Sequence, residues 1–445
     1  MSNRYMKSDA ALARLRSVTP GGAQTLSKRA ERFTEGSYPV ALDRGRGASV
    51  WDVDGNRYLD MICGLASMTL GYPTQRDECD AIQPTEDLVT NAVVNQIIQR
   101  GVTFSLATEL EAEVAEKLIA MIPCAEMVRF VKTGSEATEA AIRVARKATG
   151  RKIILTVKEG YHSWHSWFQA VKPEHPGIPH EYGQMVSALP YNDLAAFRDR
   201  VEGLRQWDIQ IAAIILEPCH YERPASGFLQ GLRELCDETG AVLIFDEMVT
   251  GFRWANGGAQ EYFGVTPDLA TFGKACANGY PLAFLCGKAD LMQHADVVSG
   301  TFGGETLSLA ACSAVLDIYQ RDPVVERLWD RGGQFQDMFN MHAVTMGVPA
   351  ICDGYAVKPR IRFTYGSDRT NTLALSLFVQ ELARLGVLWH PAGGNLSAAM
   401  TRDDIAFAGR SCQEALAIVR EAEKDNRWSA LTGKPIQPSS FVRGR

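Results

Sequence analysis

Short apolar runs alternate with helical segments through the middle of this 445-residue chain, and this alternation constrains the fold more than any other feature. Segments of helical character, such as 136–149 and 229–239, separate the runs. Strands that are apolar throughout and separated by helices are typical of a mainly parallel sheet covered on both faces. The pattern therefore predicts an α/β fold that binds ligands at the carboxyl ends of its strands. The candidate strands are residues 127–131, 152–156, 211–216 and 241–245.

Changes in this pattern divide the chain into four predicted segments. Residues 1–60 are rich in Gly, Arg and turn residues, and they end at 48–60 in two short strands joined by an Asp-Gly-Asn turn. Residues 61–321 hold the alternating strands and helices and form the predicted large domain. From 322 to 433, helical stretches flank strand-like pieces, which predicts a smaller α+β domain. Residues 434–445 are predicted to be a loose tail.

Charge and composition exclude several classes of function. The net charge is −6 and no block of like charge stands out, so a nucleic-acid partner is not expected. No apolar run approaches the roughly 20 residues that cross a bilayer. The N-terminus lacks the apolar stretch of a signal peptide, so the sequence predicts a cytoplasmic protein without membrane partners. The ten cysteines form no Cys-x-x-Cys pair, which favours buried, reduced thiols over a zinc or dithiol site.

A candidate anion pocket lies where the first strand runs into an alanine-rich helix. The segment Thr133-Gly134-Ser135 opens this helix, and Gly134 lets the backbone approach a ligand closely. Free N–H groups of the first turn, together with the Ser135 hydroxyl, suit a phosphate. The alternative is an ordinary serine N-cap without a ligand.

Two carboxylates, Asp246 and Glu247, come directly at the end of another apolar strand. An acidic residue in this position faces the crevice at the strand ends and could hold a ring nitrogen in its protonated form. Pyridoxal-5′-phosphate (PLP) chemistry needs this, because a pyridinium accepts electrons far better than neutral pyridine. A metal site or a capping carboxylate is the alternative.

Lys274 stands in an otherwise uncharged stretch, after a short apolar segment and before a Gly-Tyr-Pro turn. A lysine placed there is poised for desolvation, which lowers its pKa and favours a Schiff base with a carbonyl. The alternative is a surface lysine whose stem lies along apolar neighbours.

An aromatic segment with two histidines, residues 161–168, follows another strand. Tyr161 could stack on a planar cofactor. His162 and His165 are three residues apart, but no third ligand lies nearby, so a metal site is not predicted.

Together and in this order, the four segments resemble the class III aminotransferases of the fold-type I PLP-dependent family, in particular the branch related to glutamate-1-semialdehyde aminomutase. The resemblance covers nearly the whole chain and implies a seven-stranded, mainly parallel sheet in a large domain with a smaller α+β domain. It also implies that residues 1–60 contribute to the small domain and the active site. Further matching segments are residues 19–22, 51–56, 104–109, 300–304 and 396–405.

The resemblance implies a role for each site residue, with Lys274 and Asp246 as the catalytic pair. Lys274 would carry PLP as a Schiff base and then move the proton between the substrate carbon and the cofactor, and Asp246 would pair with the pyridine nitrogen. Thr301 would reach the phosphate of a neighbouring subunit, which implies a homodimer with shared active sites. The other implied cofactor contacts are Gly134 and Ser135 at the phosphate, Tyr161 and His162 beside the ring, Met248 on its opposite face, and Glu217 near its hydroxyl and the substrate.

Three departures from the aminomutase pattern bear on the substrate. The loop 23–33 offers Lys28, Arg29 and Arg32 in a shifted arrangement, where the aminomutase has an arginine that grips a substrate carboxylate. The usual Ser-Gly-Asn-Pro is Gly303-Gly-Glu-Thr306, and an insertion spans about 73–85. These departures argue against the aminomutase. The loop form Ser-Lys-x-x-x-x-Phe at 27–33, together with Lys-Ala-x-Ala-Asn-Gly-Tyr-Pro at 274–281, resembles relatives that aminate sugars or aminocyclitols, including enzymes of the aminoglycoside antibiotic pathways.

The resulting hypothesis is a transaminase that moves an amino group from an amino-acid donor to an oxidised sugar or aminocyclitol by a ping-pong cycle. One alternative is glutamate-1-semialdehyde aminomutase or a PLP racemase or epimerase, which uses the same lysine and aspartate without an external donor. A non-catalytic nucleotide-binding domain is a further alternative. It is disfavoured because Gly45-Arg-Gly47 lacks a third glycine and opens no helix.

Overall fold

The computed structural model describes residues 4–73, 84–158, 160–171, 177–424 and 428–437. The chain forms two compact units, Met1–Asp87 with Glu326–Arg443 and Leu88–Val325 with Gly444–Arg445, which we call unit 1 and unit 2. Most of the predicted insertion, residues 74–83, lies outside the described residues, as do residues 438–445 of the predicted tail. The nine cysteines in the described part of the chain are free and buried, as predicted.

Helices and strands alternate through unit 2 and gather into smaller groups in unit 1. No helix in the described ranges is long and apolar enough to cross a membrane. The strands are β1 (Leu42–Arg46), β2 (Ser49–Asp52), β3 (Arg57–Asp60), β4 (Met127–Val131), β5 (Ile153–Val157), β6 (Val186–Leu189), β7 (Ile211–Leu216), β8 (Val242–Asp246), β9 (Leu269–Phe272), β10 (Ala283–Gly287), β11 (Ala350–Tyr355), β12 (Lys358–Phe363) and β13 (Val387–Leu388). The helices are α1 (Met6–Val18), α2 (Cys63–Ala66), α3 (Pro84–Gln99), α4 (Glu109–Met121), α5 (Gly134–Thr149), α6 (Ser166–Gln169), α7 (Leu194–Arg205), α8 (Phe228–Thr239), α9 (Ala259–Phe263), α10 (Ala289–Met292), α11 (Thr306–Arg321), α12 (Val324–Met346), α13 (Asp368–Arg384) and α14 (Arg402–Lys424).

A seven-stranded sheet in the order β4-β10-β9-β8-β7-β5-β6 forms the centre of unit 2. The pairs β9–β8, β8–β7, β7–β5 and β5–β6 are parallel, and β10 runs antiparallel to both of its neighbours. The predicted mainly parallel α/β fold is confirmed. Because β10 reverses between β4 and β9, the carboxyl ends of β4, β5, β7, β8 and β9 all lie at one edge of the sheet.

Two apolar clusters cover the two faces of this sheet. On one face, α5 packs its small apolar side chains with Ile215 and Ile244. On the other face, α8 packs its leucines with Ile214 and Leu243. Neighbouring residues of one strand thus point to opposite clusters, as strand geometry requires. Each such side chain, fully buried, contributes about 1.5–3 kcal/mol from the hydrophobic effect.

Unit 1 contains a four-stranded sheet in the order β1-β2-β3-β13 and a separate β11–β12 hairpin. The predicted hairpin at 48–60 is confirmed, with β2 antiparallel to β3 and Gly55 at φ 89° in the turn. Part of the predicted tail is held in place, because the Lys434 ammonium donates to Oε1 of Glu35 at 2.6 Å and the Ile436 N–H donates to the Ser376 hydroxyl at 3.0 Å.

Candidate active site

The predicted site residues of unit 2 follow the strands that end at one edge of the sheet. Asp246 is the last residue of β8, and Glu217 comes directly after β7. Lys274 comes two residues after β9 ends at Phe272, and Gly134 three residues after β4 ends. Tyr161 follows β5 after three intervening residues. Since these strands end at the same edge, residues far apart in sequence are brought together there.

Asp246 is buried and holds a histidine. Its Oδ2 lies 2.8 Å from Nδ1 of His162, and both side chains are at most 1% exposed. Its Oδ1 accepts from the Met248 N–H at 3.1 Å and from the Thr271 hydroxyl at 3.4 Å. With Nδ1 donating to the carboxylate, the imidazole fixes the orientation of Asp246.

Glu247 has a different function from its neighbour, although both carboxylates end the same strand. It accepts from the Ala259 and Gln260 N–H groups at 2.8 and 2.9 Å, and from the Thr250 hydroxyl. These contacts hold the turn after β8 and cap the start of α9. Burial raises the pKa of Glu247 to about 7. The capping role foreseen as an alternative for the acidic pair therefore belongs to Glu247, and the site carboxylate is Asp246.

Lys274 lies in a strained backbone position. It begins a short 3-10 turn, Lys274–Ala277, with φ 45°, in the left-handed region that non-glycine residues rarely occupy. Such strain persists only where the surrounding structure imposes it, and it concentrates at functional sites. Burial lowers the pKa of the Lys274 amine, and the charges of Asp246 and Glu217 oppose this change. A buried amine of lowered pKa is the nucleophile that Schiff-base chemistry uses.

Glu217 is a further charged side chain of the candidate site and interacts with Asp246 and Lys274. Its Oε1 accepts from the Tyr161 N–H at 3.1 Å, which joins the end of β7 to the segment after β5. Burial raises the pKa of Glu217, and the nearby Asp246 carboxylate raises it further. The charges of His162 and Lys274 act in the opposite direction. One lysine amine therefore interacts with two buried carboxylates.

The N-terminus of α5 forms the candidate anion pocket. Thr133 caps the helix by accepting from the Glu136 N–H, and Glu136 accepts in return from the Thr133 N–H. The N–H groups of Gly134 and Ser135 stand in the first turn, where the helix itself provides no acceptor. The N-cap is thus Thr133 and not the serine considered from the sequence. Ser135 lies inside the turn, and its hydroxyl accepts from the Trp164 N–H at 3.4 Å.

The Met248 sulfur packs against two glycine backbones at this pocket. A Cβ added at Gly134 or at Gly273 would lie 2.8 Å from the Met248 Sδ. Real Cβ atoms essentially never come so close, so a side chain at either position would require the Met248 side chain to shift. Met248 therefore links the anion pocket to the backbone just before Lys274.

Replacing Gly134 with alanine is expected to weaken PLP binding by about 10-fold, because overpacking of this size costs about 1–3 kcal/mol. Adding Met248→Val should recover most of the loss, since valine lacks the colliding sulfur. The PLP dissociation constant, measured by absorbance titration, is the readout. Gly203→Ala is the control, because an added Cβ at this position in α7 meets no atom within 4 Å. Equal affinity of Gly134→Ala and the wild type would contradict this packing.

The aromatic segment divides between core and surface. Trp167 is 4% exposed and stacks on the His162 ring, whereas Trp164 is 72% exposed. Tyr161 is about half exposed and meets the edge of Phe168. His165 lies 3.7 Å from Glu139 and makes no metal cluster. In the part of the chain that the structure describes, no group of three His, Cys, Asp or Glu residues could hold a metal ion.

Sequence reasoning missed Thr138 as a supporting residue. Its hydroxyl donates to the carbonyls of His162 at 2.8 Å and Ser135 at 3.1 Å, so α5 anchors the loop that holds the histidine. In the sequence, Thr138 is recognisable only as a threonine one turn into an alanine-rich helix, and the structure shows that it is buried. Thr301 lies on an exposed turn of unit 2.

The residues present fit PLP. A desolvated amine can bind an aldehyde, a buried carboxylate can hold a ring nitrogen, and an uncapped helix start can bind a phosphate. The glycine at 134 leaves the room for a close backbone approach. Fold and charge pattern together define the class of the protein as a fold-type I PLP-dependent enzyme.

Comparisons with known proteins agree with this class. Residues 32–346 match the family model described as aminotransferase class-III. A 3-aminobutyryl-CoA aminotransferase from Cloacimonas acidaminovorans is 36% identical, with 91% of this chain and 95% of the relative covered. A glutamate-1-semialdehyde 2,1-aminomutase from Syntrophobacter fumaroxidans is 35% identical, with 90% and 95% covered. The FumI protein of Sphingopyxis sp. MTA144, solved in its PLP internal aldimine form, superposes with a TM-score of 0.85 at 28% identity, with 97% and 99% covered.

The chain therefore belongs to the class III aminotransferase family and is a PLP-dependent transaminase.

Proposed function

We propose that this enzyme transfers an amino group from an amino-acid donor to an aldehyde or ketone in two half-reactions, and that the acceptor is an oxidised sugar or aminocyclitol. The observation that carries the proposal is the Lys274 amine, which lies at the strand ends and interacts electrostatically with the carboxylates of Asp246 and Glu217. A lysine amine of lowered pKa gives up its proton more readily, and both half-reactions require one group that gives and takes a proton.

The residues named from the sequence are assigned as follows. Lys274 holds the cofactor and, once displaced by the donor, moves the proton at the substrate carbon. Asp246 pairs with the ring nitrogen, with His162 orienting it. When bound, PLP supplies the electron sink for the bond that breaks at the substrate carbon. The remaining contacts are Gly134 and Ser135 at the phosphate, Tyr161 and Met248 on the two ring faces, Glu217 near the ring hydroxyl, and Thr301 at the phosphate of a second subunit.

A homodimer follows from the role proposed for Thr301 at the phosphate of a second subunit. Exposed large apolar side chains in two segments of unit 2 and beside Thr301 support it, because an interface with a second copy would remove them from water. A second copy of the chain would cover them and supply the partner's Thr301. These side chains are Val94, Ile97, Ile98, Phe104, Leu106 and Phe302.

The arginines of the loop 23–33 support an acceptor without a free carboxylate. Arg32 donates to the Gln437 carbonyl at 3.4 Å. Arg29 packs on Gly21, where an added Cβ would lie 2.5 Å from its Nε. The Arg32 guanidinium thus has a hydrogen-bond acceptor within unit 1, whereas the Arg29 Nε is packed against Gly21 without an acceptor among the described residues. The relative named 3-aminobutyryl-CoA aminotransferase is named for a thioester, which also lacks a free carboxylate.

The absorption spectrum of the purified enzyme tests the reaction type. Glutamate, glutamine or alanine, added in turn, is expected to bleach the visible band of lysine-bound PLP, because the donor leaves its amino group on the cofactor. The bleached enzyme is then given keto-sugars and aminocyclitol ketones, and the productive acceptor restores the band.

Two outcomes would change the assignment. A band that no donor bleaches, with turnover of glutamate-1-semialdehyde, would favour the aminomutase named among the relatives. Recovery of the band with a 3-oxoacyl thioester but with no sugar would keep the transaminase and replace the acceptor.

A further inference from the structure

A tight turn, Gly300–Glu305, packs against the end of β4 beside the anion pocket. The Gly303 N–H donates to the Gly300 carbonyl at 3.1 Å, and the Glu305 N–H donates to the Phe302 carbonyl at 3.3 Å. A Cβ added at Gly303 would lie 3.0 Å from the carbonyl oxygen of Phe130 in β4. Thr301 is exposed on this turn. The position of Thr301 therefore depends on how the turn is held.

A largely buried ion pair holds the turn to the start of the pocket. The Lys132 ammonium lies 2.8 Å from Oε1 of Glu305, and the two side chains are only 18% and 10% exposed. Lys132 directly follows β4 and precedes Gly134 by two residues. Removing one member of such a pair leaves an uncompensated buried charge, so the pair fixes geometry strongly.

Glu305 is held rigidly from a second side. It is the N-cap of α11 and accepts from the Leu307 N–H at 2.8 Å, the Ser308 N–H at 3.1 Å and the Ser308 hydroxyl. Burial acts to raise the pKa of Glu305, but Lys132 and these donors outweigh it and lower that pKa. Its carboxylate therefore stays charged and its side chain has one position.

The start of α11 has an anchor of its own that does not involve this ion pair. The Thr306 N–H donates to the Val102 carbonyl at 2.9 Å. The Thr306 hydroxyl donates to the Gly101 carbonyl at 2.9 Å and accepts from the Gln96 side chain at 3.0 Å. Loss of the ion pair would thus leave α11 in place and release only the turn before it.

We propose that Lys132 and Glu305 form a positioning pair for the cofactor phosphate. The pair fixes the backbone just before the N–H groups of Gly134 and Ser135, and it fixes the turn that would present Thr301 to the phosphate of a second subunit. This rests on the proposed function, in which Gly134 and Ser135 bind the phosphate. The Lys132 ammonium is already paired with Glu305, so the pair acts on the cofactor through the backbone that it holds. It therefore affects the affinity for PLP rather than the rate of the chemical step.

Three variants of the holoenzyme test the pair: Lys132→Met, Glu305→Gln and the two combined. Glutamine keeps an oxygen for the α11 cap and removes only the charge. PLP is removed and titrated back, and its dissociation constant is read from absorbance. Each single variant is expected to bind PLP about 10-fold more weakly. The double variant should lose much less PLP affinity than the product of the two single-variant losses, because the two residues are coupled. Turnover at saturating PLP should stay within about 2-fold of the wild type.

Asp317→Asn is the matched control, because Asp317 lies on the same helix α11 as the Glu305 cap and pairs with Lys117 of α4. It should bind PLP like the wild type. A Glu305→Gln variant that binds PLP as tightly as the wild type, or more tightly, would overturn the proposal. The only effect of the substitution would then be that removing the negative charge of Glu305 favours binding of the anionic PLP phosphate. Additive effects of the two single variants would overturn it as well.

The failure of the proposed function would give a different result. If Gly134→Ala and Ser135→Ala both leave PLP affinity unchanged, the phosphate site itself is wrong. If they weaken PLP binding while the Lys132 and Glu305 variants do not, only the positioning pair is wrong.

Discussion

Replacing Lys274 by alanine is expected to abolish the visible band of lysine-bound PLP and to lower turnover by about 10²–10⁴-fold or more. Alanine removes both the nucleophile and the group that moves the proton at the substrate carbon. Its smaller side chain adds no clash at the strained backbone position with φ 45°. The protein should therefore fold and still bind PLP non-covalently. Absorbance and steady-state turnover are the measurements.

Two further substitutions separate chemistry from charge. Lys274→Arg keeps the positive charge between the carboxylates but cannot form the covalent bond, so it should lose the band as completely as alanine. Lys288→Ala is the control, because this half-exposed lysine pairs with Asp268 away from the site. A retained visible band in Lys274→Ala would reject Lys274 as the residue that holds PLP.

Replacing Asp246 by asparagine is expected to lower turnover by about 10²–10⁴-fold while leaving PLP bound. Asparagine has nearly the same shape, but it has no charge to hold a protonated ring nitrogen, and it loses the charge-assisted bond to His162. The effect should fall on the turnover number rather than on the Michaelis constant, because the charge matters most as the substrate bond breaks.

The neighbouring Glu247→Gln variant is the matched comparison. Here we expect nearly normal turnover and a lower melting temperature, because the glutamine N–H₂ would face one of the N–H donors of Ala259 and Gln260, which bind different oxygens of Glu247. A donor left unsatisfied in a buried site costs about 1–3 kcal/mol. If Glu247→Gln lost turnover as severely as Asp246→Asn, the two carboxylates would not have the separate functions described above.

The acidic pair shows where sequence reasoning stops. Two adjacent carboxylates after an apolar strand indicate a polar group at the sheet edge, but not which of them faces the ligand. Asp246 is the last residue of β8 and points to His162, which is 84 residues away in sequence. Glu247 already belongs to the following turn and points to α9. That choice depends on the path of the chain after the strand, which local patterns do not contain.

The anion pocket was predictable for a different reason. A strand that runs into Thr-Gly-Ser-Glu before an alanine-rich helix specifies a capped helix start within a few residues, so the interaction is local. The capping box of Thr133 and Glu136 is the expected structure, displaced by two residues from the predicted serine cap. The packing of Met248 against Gly134 was not predictable, because 114 residues of chain separate a contact that only the sheet order creates.

The sequence by itself determined the kinds of element, their alternation and the chemical groups at the strand ends, because apolar periodicity and capping act over a few residues. Only the tertiary structure decided the strand order, with β10 reversed between β4 and β9. It also decided that Lys132 pairs with Glu305 and that Asp246 pairs with His162. The physical reason is that such contacts depend on how whole faces of helices and sheets pack. The hydrophobic effect stabilises any arrangement that buries the apolar surface, and only the complementary fit of the side chains selects one of them.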